Sequence, residues 1–420
     1  MGNASSNFKL ITAARLIDGT GSPPLERGAV LVEGDTIRAV GTEETVIPPE
    51  GASVERLDYK GTVLPGLVDC HVHLIGIGDG RPGDDLNKLP DEVLTLQAAS
   101  NARTHLYSGV TTVRDCGAKH RTTFMLRRAV EMGITPAPRL VLAGRPVAIV
   151  GGHLSYFGVE ATGEVECRAA VRQLIKEGAD FIKITATGGT TQTSFPLRPS
   201  FTVQEMTAAC DEAHKFGKHA CAHCVSSQGI VNALDAGIDT IFHARFNEPD
   251  GSVRFQPEIA DRIARQGVFV NPTLHVKRAR IWAFEQQIES GPLDEDEQSA
   301  YDELRREYDS NLVCFQGLRD AGVTMVSGSD SAWGNYTMGG FPHEIEANVE
   351  AGMTPLDAVV SATGDSAKSC AIHREVGTLE PGKKADILVV DGDPSQDINA
   401  LWNVADVFQN GALVDRRDFV

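Results

Sequence analysis

The sequence contains no long hydrophobic run. None of its apolar segments approaches the roughly 20 residues that a transmembrane helix needs, and its start, Met-Gly-Asn-Ala-Ser-Ser-Asn-Phe-Lys, lacks the charged and apolar regions of a secretory signal. We therefore expect a cytoplasmic protein that does not enter a membrane. Gly2 and Ser6 fit the pattern for N-myristoylation, and an ordinary small, polar terminus is the simpler interpretation.

Basic residues are scarce relative to acidic ones. The chain has 39 Lys and Arg against 57 Asp and Glu, which gives a formal net charge of -18 at pH 7. Simple electrostatics therefore argues against binding to nucleic acid or to an anionic membrane. The eight cysteines are scattered through predicted strands and helices, which is typical of reduced core residues and not of a disulfide framework.

Short apolar strands alternate with helical segments from about residue 63 onward. This pattern is typical of a parallel sheet wrapped by helices, and eight such units indicate a (β/α)8 TIM barrel over residues 63–376. The predicted strands are residues 62–71, 109–115, 139–143, 180–185, 219–223, 240–243, 268–272 and 323–327.

The two flanks differ from this central region. Residues 1–62 and 377–420 carry hydrophobic strands separated by Gly, Pro and Asp turns. Neither flank is large enough to form a stable core alone. We therefore expect both to pack together as one small composite β-sandwich domain beside the barrel.

Polar residues stand at the ends of the predicted strands, where the loops of a barrel converge on one mouth. His71 and His73 share a face at the end of strand one, because strand side chains alternate with a period of two. Nitrogen and oxygen ligands of this kind suit zinc first and also manganese, cobalt, nickel or iron. The predicted metal ligands are His71, His73, Lys183, His223, His243 and Asp330.

Each feature also has a simpler interpretation. His71 and His73 can be ordinary histidines of an edge strand, since His-x-His alone is a weak motif. The head of Lys183 can reach solvent or pair with Asp330. Asp330 can cap the turn that follows it.

Seven segments together resemble the amidohydrolase superfamily over almost the whole length of the chain. Any one of them would be a weak signal, whereas their combination is highly specific. They are residues 64–73, 109–115, 181–189, 222–224, 241–243, 328–330 and 377–390.

The resemblance implies a binuclear metal centre. In the binuclear branch of the superfamily, a lysine of strand four is carboxylated and bridges two metals, a role that falls to Lys183 here. A first ion is then held by His71, His73 and Asp330, and a second by His223 and His243. A hydroxide bridging the two metals is nucleophilic near neutral pH, since metal binding lowers the pKa of water toward about 7. Asp330 is expected to act as the catalytic base that passes a proton to the leaving amine.

The residues after the strand-five histidine favour one reaction over another. Mononuclear deaminases of the superfamily place a glutamate shortly after it, whereas His223 is followed by Cys-Val-Ser-Ser-Gln. We therefore predict hydrolysis of an amide, whether peptide-like, an N-acyl amino acid or an aryl amide. Lactone, carbamate or phosphotriester hydrolysis by the same centre is the alternative. A non-catalytic scaffold is an alternative of another class, although such descendants usually lose ligands.

Within the superfamily the chain resembles the Xaa-Pro dipeptidase-like subgroup and related hydrolases of aryl and N-acyl amides. Those dipeptidases commonly carry a tyrosine two residues after the strand-five histidine, and this chain has Val225 there. His153 and His275 follow predicted strands three and seven and are candidate catalytic residues that contact the substrate. His153 can equally be a turn residue beside two glycines.

Aromatic residues make up only 6% of the chain, yet several follow predicted strands three, seven and eight. They predict a pocket for a small-molecule amide with a bulky or aromatic arm. Packing beneath the loops or at the interface of a homo-oligomer, which we also expect, explains them equally well. The residues are Tyr156, Phe157, Trp282, Phe284, Trp333, Tyr336 and Phe341.

Overall fold

The computed structural model of the chain describes residues 8–417, so the myristoylation pattern at Gly2 lies outside the described residues. The strands are β1 (Phe8–Leu16), β2 (Leu25–Glu33), β3 (Thr36–Thr42), β4 (Val54–Pro65), β5 (Leu67–Val72), β6 (Val110–Asp115), β7 (Arg139–Leu142), β8 (Val147–Ala148), β9 (Val159–Glu160), β10 (Ile182–Thr185), β11 (Ala220–Ser226), β12 (Thr240–Asn247), β13 (Phe269–Asn271), β14 (Ile387–Val390), β15 (Val404–Gln409) and β16 (Ala412–Leu413). The helices are α1 (Asp91–Tyr107), α2 (Thr122–Glu131), α3 (Gly163–Glu177), α4 (Val203–Lys215), α5 (Ser227–Asp235), α6 (Pro257–Gln266), α7 (Leu274–Ser290), α8 (Glu295–Asp320), α9 (Pro342–Glu350), α10 (Pro355–Ser361) and α11 (Gly364–Ser369), with 3-10 helices at Gly83–Lys88 and Ile398–Trp402.

Local sequence signals explain where several helices begin and end. Thr202 and Glu205 form a reciprocal capping box at the start of α4, which satisfies two backbone N–H groups that the helix leaves unbonded. Pro257 begins α6, where a missing N–H costs nothing, and Gly267 ends it in the left-handed conformation with a φ of 67°.

Strands from both ends of the chain form one seven-stranded sheet. Its order is β16-β15-β14-β4-β1-β2-β3, with β1 and β4 parallel and the other neighbours antiparallel. Ile11 and Val30 from the N-terminal flank share a buried apolar cluster with Ile387 and Phe408 from the C-terminal flank. The two flanks thus contribute strands to one sheet, and the composite β-sandwich domain stays a prediction.

The predicted strand at residues 62–71 is two strands that belong to different sheets. β4 ends at Pro65, and its residues 62–65 pair with β14 of the terminal sheet. β5 begins at Leu67 and pairs with β6. The break lies at Gly66, where a Cβ would come within 2.2 Å of Thr111 Oγ1. Only glycine allows this close approach between the backbone and a neighbouring strand.

The central region contains two sheets in which every paired strand is parallel. One has the order β5-β6-β7 and the other β13-β12-β11-β10-β8-β9. Helix α1 buries Leu94 and Leu106 in the same apolar cluster as Leu67 of β5 and Val113 of β6. This α/β arrangement with parallel strands is consistent with a TIM barrel.

The predicted eighth strand at residues 323–327 forms a single isolated bridge, between Met325 and Val270 of β13, and not a full ladder. Its backbone nevertheless bonds to both neighbours, because Val326 N donates to Val270 O over 2.9 Å and Cys70 N donates to Ser327 O over 3.1 Å. The segment therefore runs between β13 and β5.

Among the described residues, no helix combines the length and the apolar character that crossing a membrane requires.

Candidate metal centre

His71, His73 and Asp330 come together at the ends of β5 and of the segment that runs beside it. Asp330 Oδ1 lies 3.3 Å from His71 Nε2 and 3.5 Å from His73 Nε2. The ligand atoms of the three residues lie within 4.8 Å of one another. Asp330 reaches this position with a left-handed φ of 52° and a backbone N–H that donates to His71 O over 2.6 Å.

The rings of His71 and His73 are held by their second nitrogens. His71 Nδ1 lies 3.1 Å from Asn271 Oδ1, and His73 Nδ1 lies 2.9 Å from Gly117 O. Both partners are acceptors, so each Nδ1 carries the proton and each Nε2 offers a lone pair toward Asp330. Burial is the main cause that lowers the pKa of His73 to about 3, so the ring is neutral.

His223 and His243, which lie within β11 and β12, form a second pair with ring centroids 4.5 Å apart. His223 Nε2 lies 3.0 Å from Gly188 O, which leaves Nδ1 as its ligand atom. His243 Nδ1 lies 2.7 Å from Thr273 Oγ1, which leaves Nε2. The His243 ring is 5.5 Å from that of His71, so the two groups of histidines share one site.

Lys183 lies on β10 with a side chain that is 1% exposed. Its Nζ is 3.4 Å from His71 Nε2 and 3.8 Å from the centroid of the Phe242 ring. No carboxylate of the described residues lies within 4.0 Å of it, so the lysine neither reaches solvent nor pairs closely with Asp330. Burial lowers the pKa of Lys183.

The two remaining predicted histidines lie in different places. The His153 ring is 4.4 Å from that of His223, and burial lowers its pKa to about 3. His275 lies apart, with its ring 4.5 Å from Tyr336 and 4.8 Å from His343, and its Nδ1 accepts a hydrogen bond from Arg278. The structure therefore brings His153 together with the predicted metal ligands and places His275 in a separate cluster.

The predicted aromatic set also divides. The Trp333 ring packs against that of His73 in a tilted arrangement, with centroids 5.0 Å apart. Tyr156 meets Trp333 at Gly83, where a Cβ would lie 2.6 Å from Tyr156 Oη and 3.0 Å from Trp333 Cζ3. Phe157 is buried and packs edge-on against Tyr156, with ring centroids 4.7 Å apart. The others lie elsewhere: Phe341 is buried, Trp282 and Tyr336 surround His275, and Phe284 packs against Tyr301.

A buried network of hydrogen bonds lies behind the site and includes none of the predicted site residues. Asp69 accepts from Ser329 Oγ over 2.6 Å and from His105 Nε2 over 3.1 Å, and His105 Nδ1 accepts from Gly339 N over 2.8 Å. These bonds fix both ends of the loop that carries Asp330. Asp69 lies two residues before His71 in the same strand, so the sequence could have indicated it as a residue of the site. His105 lies within α1, away from any strand end, and has no such signal.

The family follows from the sequence of this region and its surroundings. Residues 62–414 match the amidohydrolase family. The chain belongs to that family. Its sequence relatives and structural neighbours are amidohydrolases, dipeptidases and amide hydrolases, so this amidohydrolase is an enzyme and the scaffold alternative is set aside.

Individual relatives of this amidohydrolase match it over most of their length. Ochratoxinase of Aspergillus niger is 27% identical over 442 residues, which cover 96% of this chain and 86% of that protein. The solved structure of that ochratoxinase is similar with a TM-score of 0.83 and 25% identity, covering 97% of this chain and 95% of that one. A Xaa-Pro dipeptidase with methionine bound in its active site has a TM-score of 0.83 and 29% identity, covering 97% of this chain and 100% of that one.

Proposed function

We propose that this amidohydrolase cleaves an amide bond in a small molecule with the help of two divalent cations. The observation that carries the proposal is the convergence of four imidazoles, a carboxylate and a buried lysine from neighbouring parallel strands and the segments that follow them. Similarity to an ochratoxinase and to a Xaa-Pro dipeptidase supports amide hydrolysis over the other reactions considered.

We assign His71, His73 and Asp330 to the first cation, and His223 and His243 to the second. The residues fit, because each imidazole has one nitrogen engaged by Asn271, by Thr273 or by a backbone carbonyl, and offers the other. This donor set suits zinc first, with manganese, cobalt, nickel and iron as other candidates.

Lys183 completes the set as a carbamate. Its ammonium would be repelled by two neighbouring cations, and it has no carboxylate partner within 4.0 Å among the described residues. When the neutral amine adds to carbon dioxide, an N–C bond forms, one proton leaves and a carbamate anion remains. Nζ lies 3.4 Å from His71 Nε2, so a carbamate on Lys183 would add oxygen ligands to this donor set.

Bound cations would supply Lewis acidity, which activates water and polarises a carbonyl group. Asp330 accepts the proton of the attacking water and delivers it to the leaving nitrogen.

His153 takes the place of the tyrosine that related dipeptidases carry two residues after the strand-five histidine, since Val225 at that position has no polar side-chain group. Thr191 Oγ1 accepts a hydrogen bond from Leu154 N and lies 3.0 Å from His153 Nδ1, and we assign its hydroxyl as the donor to that nitrogen. His153 Nε2–H is then the donor that contacts the substrate carbonyl.

The mouth of the site favours a bulky or aromatic arm on the substrate. Trp333 stands against His73, and Tyr156 meets Trp333 across Gly83. An aromatic arm can pack on these rings while its amide lies at the metal ligands.

Backbone hydrogen bonds between the same strands support the architecture that we propose. Residues 323–331 bond to both β13 and β5, and Asp180 N bonds to Leu142 O of β7 over 2.8 Å. These bonds support closure of the parallel strands into a (β/α)8 barrel over residues 63–376. The shared sheet of the flanks supports a composite domain of residues 1–62 and 377–420 with a β-sandwich form.

Metal analysis combined with a substrate screen tests the proposal. Protein grown with added zinc or manganese is expected to hold about two metal equivalents and to hydrolyse N-acyl amino acids, dipeptides or aryl amides faster than carbamates, lactones or phosphotriesters. Lys183→Ala is expected to bind less metal and lose activity, with partial recovery in small carboxylates, whereas the exposed Lys176→Ala serves as the matched control. A fully active Lys183→Ala enzyme contradicts the carbamate, and activity on lactones alone contradicts amide hydrolysis.

A further inference from the structure

A cavity of about 640 Å³ lies outside the candidate metal centre. Among the described residues, its lining includes none of the predicted metal ligands, and Trp333, which packs against His73, is not part of it either. The volume is within the range of about 300 to 1,000 Å³ that small-molecule sites occupy. We call this space the aromatic cavity, after the five ring residues that line it: His275, Trp282, Tyr336, His343 and Trp402.

The five rings form one continuous group. The centroid of the His275 ring lies 4.5 Å from that of Tyr336 and 4.8 Å from that of His343. The His343 ring lies 4.4 Å from Trp402 and 5.2 Å from Trp282. His275 is only 2% exposed, whereas Trp282 and Trp402 are 36% and 40% exposed. The two indole rings therefore keep uncovered surface, and His275 lies at the buried end of the group.

Glu346 holds two of these rings in place. Its Oε1 accepts a hydrogen bond from Trp402 Nε1, and its Oε2 lies 3.0 Å from His343 Nδ1. Arg278 completes the arrangement, because its guanidinium is 3.3 Å from Glu346 Oε2 and 4.6 Å from the centroid of the Trp282 ring. The rings are thus fixed before any ligand arrives, which favours binding.

Two imidazole nitrogens of the cavity are free to bond to a ligand. Burial lowers the pKa of His275, so its ring is neutral. Its Nδ1 accepts a hydrogen bond from Arg278 Nε over 2.9 Å, so the proton is on Nε2, and within residues 8–417 that N–H has no acceptor. A buried donor is stable only with a partner. In its neutral form, His343 donates from Nδ1 to Glu346 and leaves Nε2 as an acceptor.

The cavity presents no net charge to a ligand. Of the described residues that line it, none has a carboxylate, guanidinium or ammonium group. The nearby charge of Arg278 is balanced by Glu346 and by Glu350, which lies 2.6 Å from its guanidinium. A neutral ligand therefore suits this environment better than an ion.

We propose that the aromatic cavity binds a neutral aromatic molecule that carries a hydroxyl group, that is, a phenol. Its ring packs against Trp282 and Trp402, and its hydroxyl group accepts from His275 Nε2 and donates to His343 Nε2. This site takes no part in the metal chemistry, so it goes beyond the proposed function and does not depend on it.

Tryptophan fluorescence tests the site without any substrate. The chain has three tryptophans, and Trp333→Phe leaves only Trp282 and Trp402, both of which line the cavity. With excitation beyond the absorption band of phenol, we expect phenol to change the emission saturably, with a Kd on the order of 1 mM. Cyclohexanol has the hydroxyl group without the aromatic ring, and anisole accepts a hydrogen bond but donates none. Each should bind about 5-fold more weakly than phenol.

Substitutions in the same background separate the contributions. His343→Phe keeps a ring and removes Nε2, so phenol should bind about 5-fold more weakly and no better than anisole. Trp402→Ala changes an exposed ring and is the second variant if His343→Phe does not fold, with an expected loss of about 10-fold for phenol. His373→Phe alters an exposed histidine outside the cavity and should bind all three compounds unchanged.

Three results would overturn the proposal. The first is equal binding of phenol and cyclohexanol, and the second is a preference for phenol over anisole that survives in His343→Phe. The third is the absence of any saturable change with phenol together with a lower oligomeric state of Trp402→Ala in sedimentation, which would show that a second copy of the chain fills the cavity.

Discussion

Asn271, at the end of β13, connects the candidate metal centre to neighbouring backbone through hydrogen bonds. Its Oδ1 lies 3.1 Å from His71 Nδ1, and its Nδ2 donates to Gly328 O over 3.0 Å and to Val326 O over 3.3 Å. Asn271→Ala removes all three bonds from a fully buried position. With about 1 kcal/mol for each bond, the free energy of unfolding should fall by about 3 kcal/mol.

The same change should weaken metal binding, because His71 loses the partner that fixes its tautomer and orientation. Loss of such a partner typically lowers metal affinity 10- to 100-fold, or about 1.4 to 2.7 kcal/mol. Urea unfolding measures the first effect, and competition with a chromophoric chelator measures the second.

Asn101→Ala is the matched control. Asn101 is also buried, and its Nδ2 donates to Leu74 O over 2.8 Å and to Gly76 O over 2.7 Å, but it contacts no predicted metal ligand. It should lose a similar amount of stability and keep its metal affinity. Wild-type metal affinity in Asn271→Ala, or equal weakening in both variants, refutes the role assigned to Asn271.

Three other perturbations address the site itself. Asp330→Asn should keep much of its metal and lose most of its turnover, since the amide coordinates weakly and cannot carry a proton; near wild-type kcat would show that another group is the base. Trp333→Ala should lower kcat/KM about 10- to 100-fold for amides with an aromatic arm and spare small Xaa-Pro dipeptides, and an unchanged substrate ranking would contradict the aromatic mouth. Chelation should lower the thermal unfolding midpoint, and added zinc should restore it, because a ligand of the native state alone stabilises that state; a midpoint indifferent to both would argue against a bound metal.

The family and the parallel strands could be predicted from the sequence because they depend on repeated local patterns. Strand periodicity places His71, His223 and His243 at strand ends, and the structure brings them together with Lys183 and Asp330. Metal binding, the carbamate, the homo-oligomer and the cytoplasmic location stay predictions. The isolated bridge at Met325 could not be foreseen, since its apolar run reads like any short strand.

The side chains after the strands were harder to place, because a loop residue has no periodicity. His153 and His275 both follow strands, yet one lies beside His223 and the other among Tyr336 and His343. Thr273, in the left-handed conformation with a φ of 51°, begins α7 just before His275. Because α7 begins at this turn, His275 in its first turn lies beside Tyr336 and His343, and no sequence pattern marks this change of direction.

Left-handed backbone conformations at non-glycine residues explain why the sequence predicts candidate ligands but not their surroundings. Ten such residues occur between residues 8 and 417, and five of them lie within β12 or in the segments that follow the strands of the site: His243, Ala244, Phe246, Thr273 and Asp330. Each is held in a conformation that an L-residue adopts at a cost of about 1 to 3 kcal/mol, which persists only where surrounding contacts impose it. Those contacts are visible here: His71 O binds Asp330 N, and Glu344 accepts the N–H groups that follow Thr273. Because tertiary contacts impose these turns and local propensity opposes them, the positions of His243, His275 and Asp330 could come only from the folded chain.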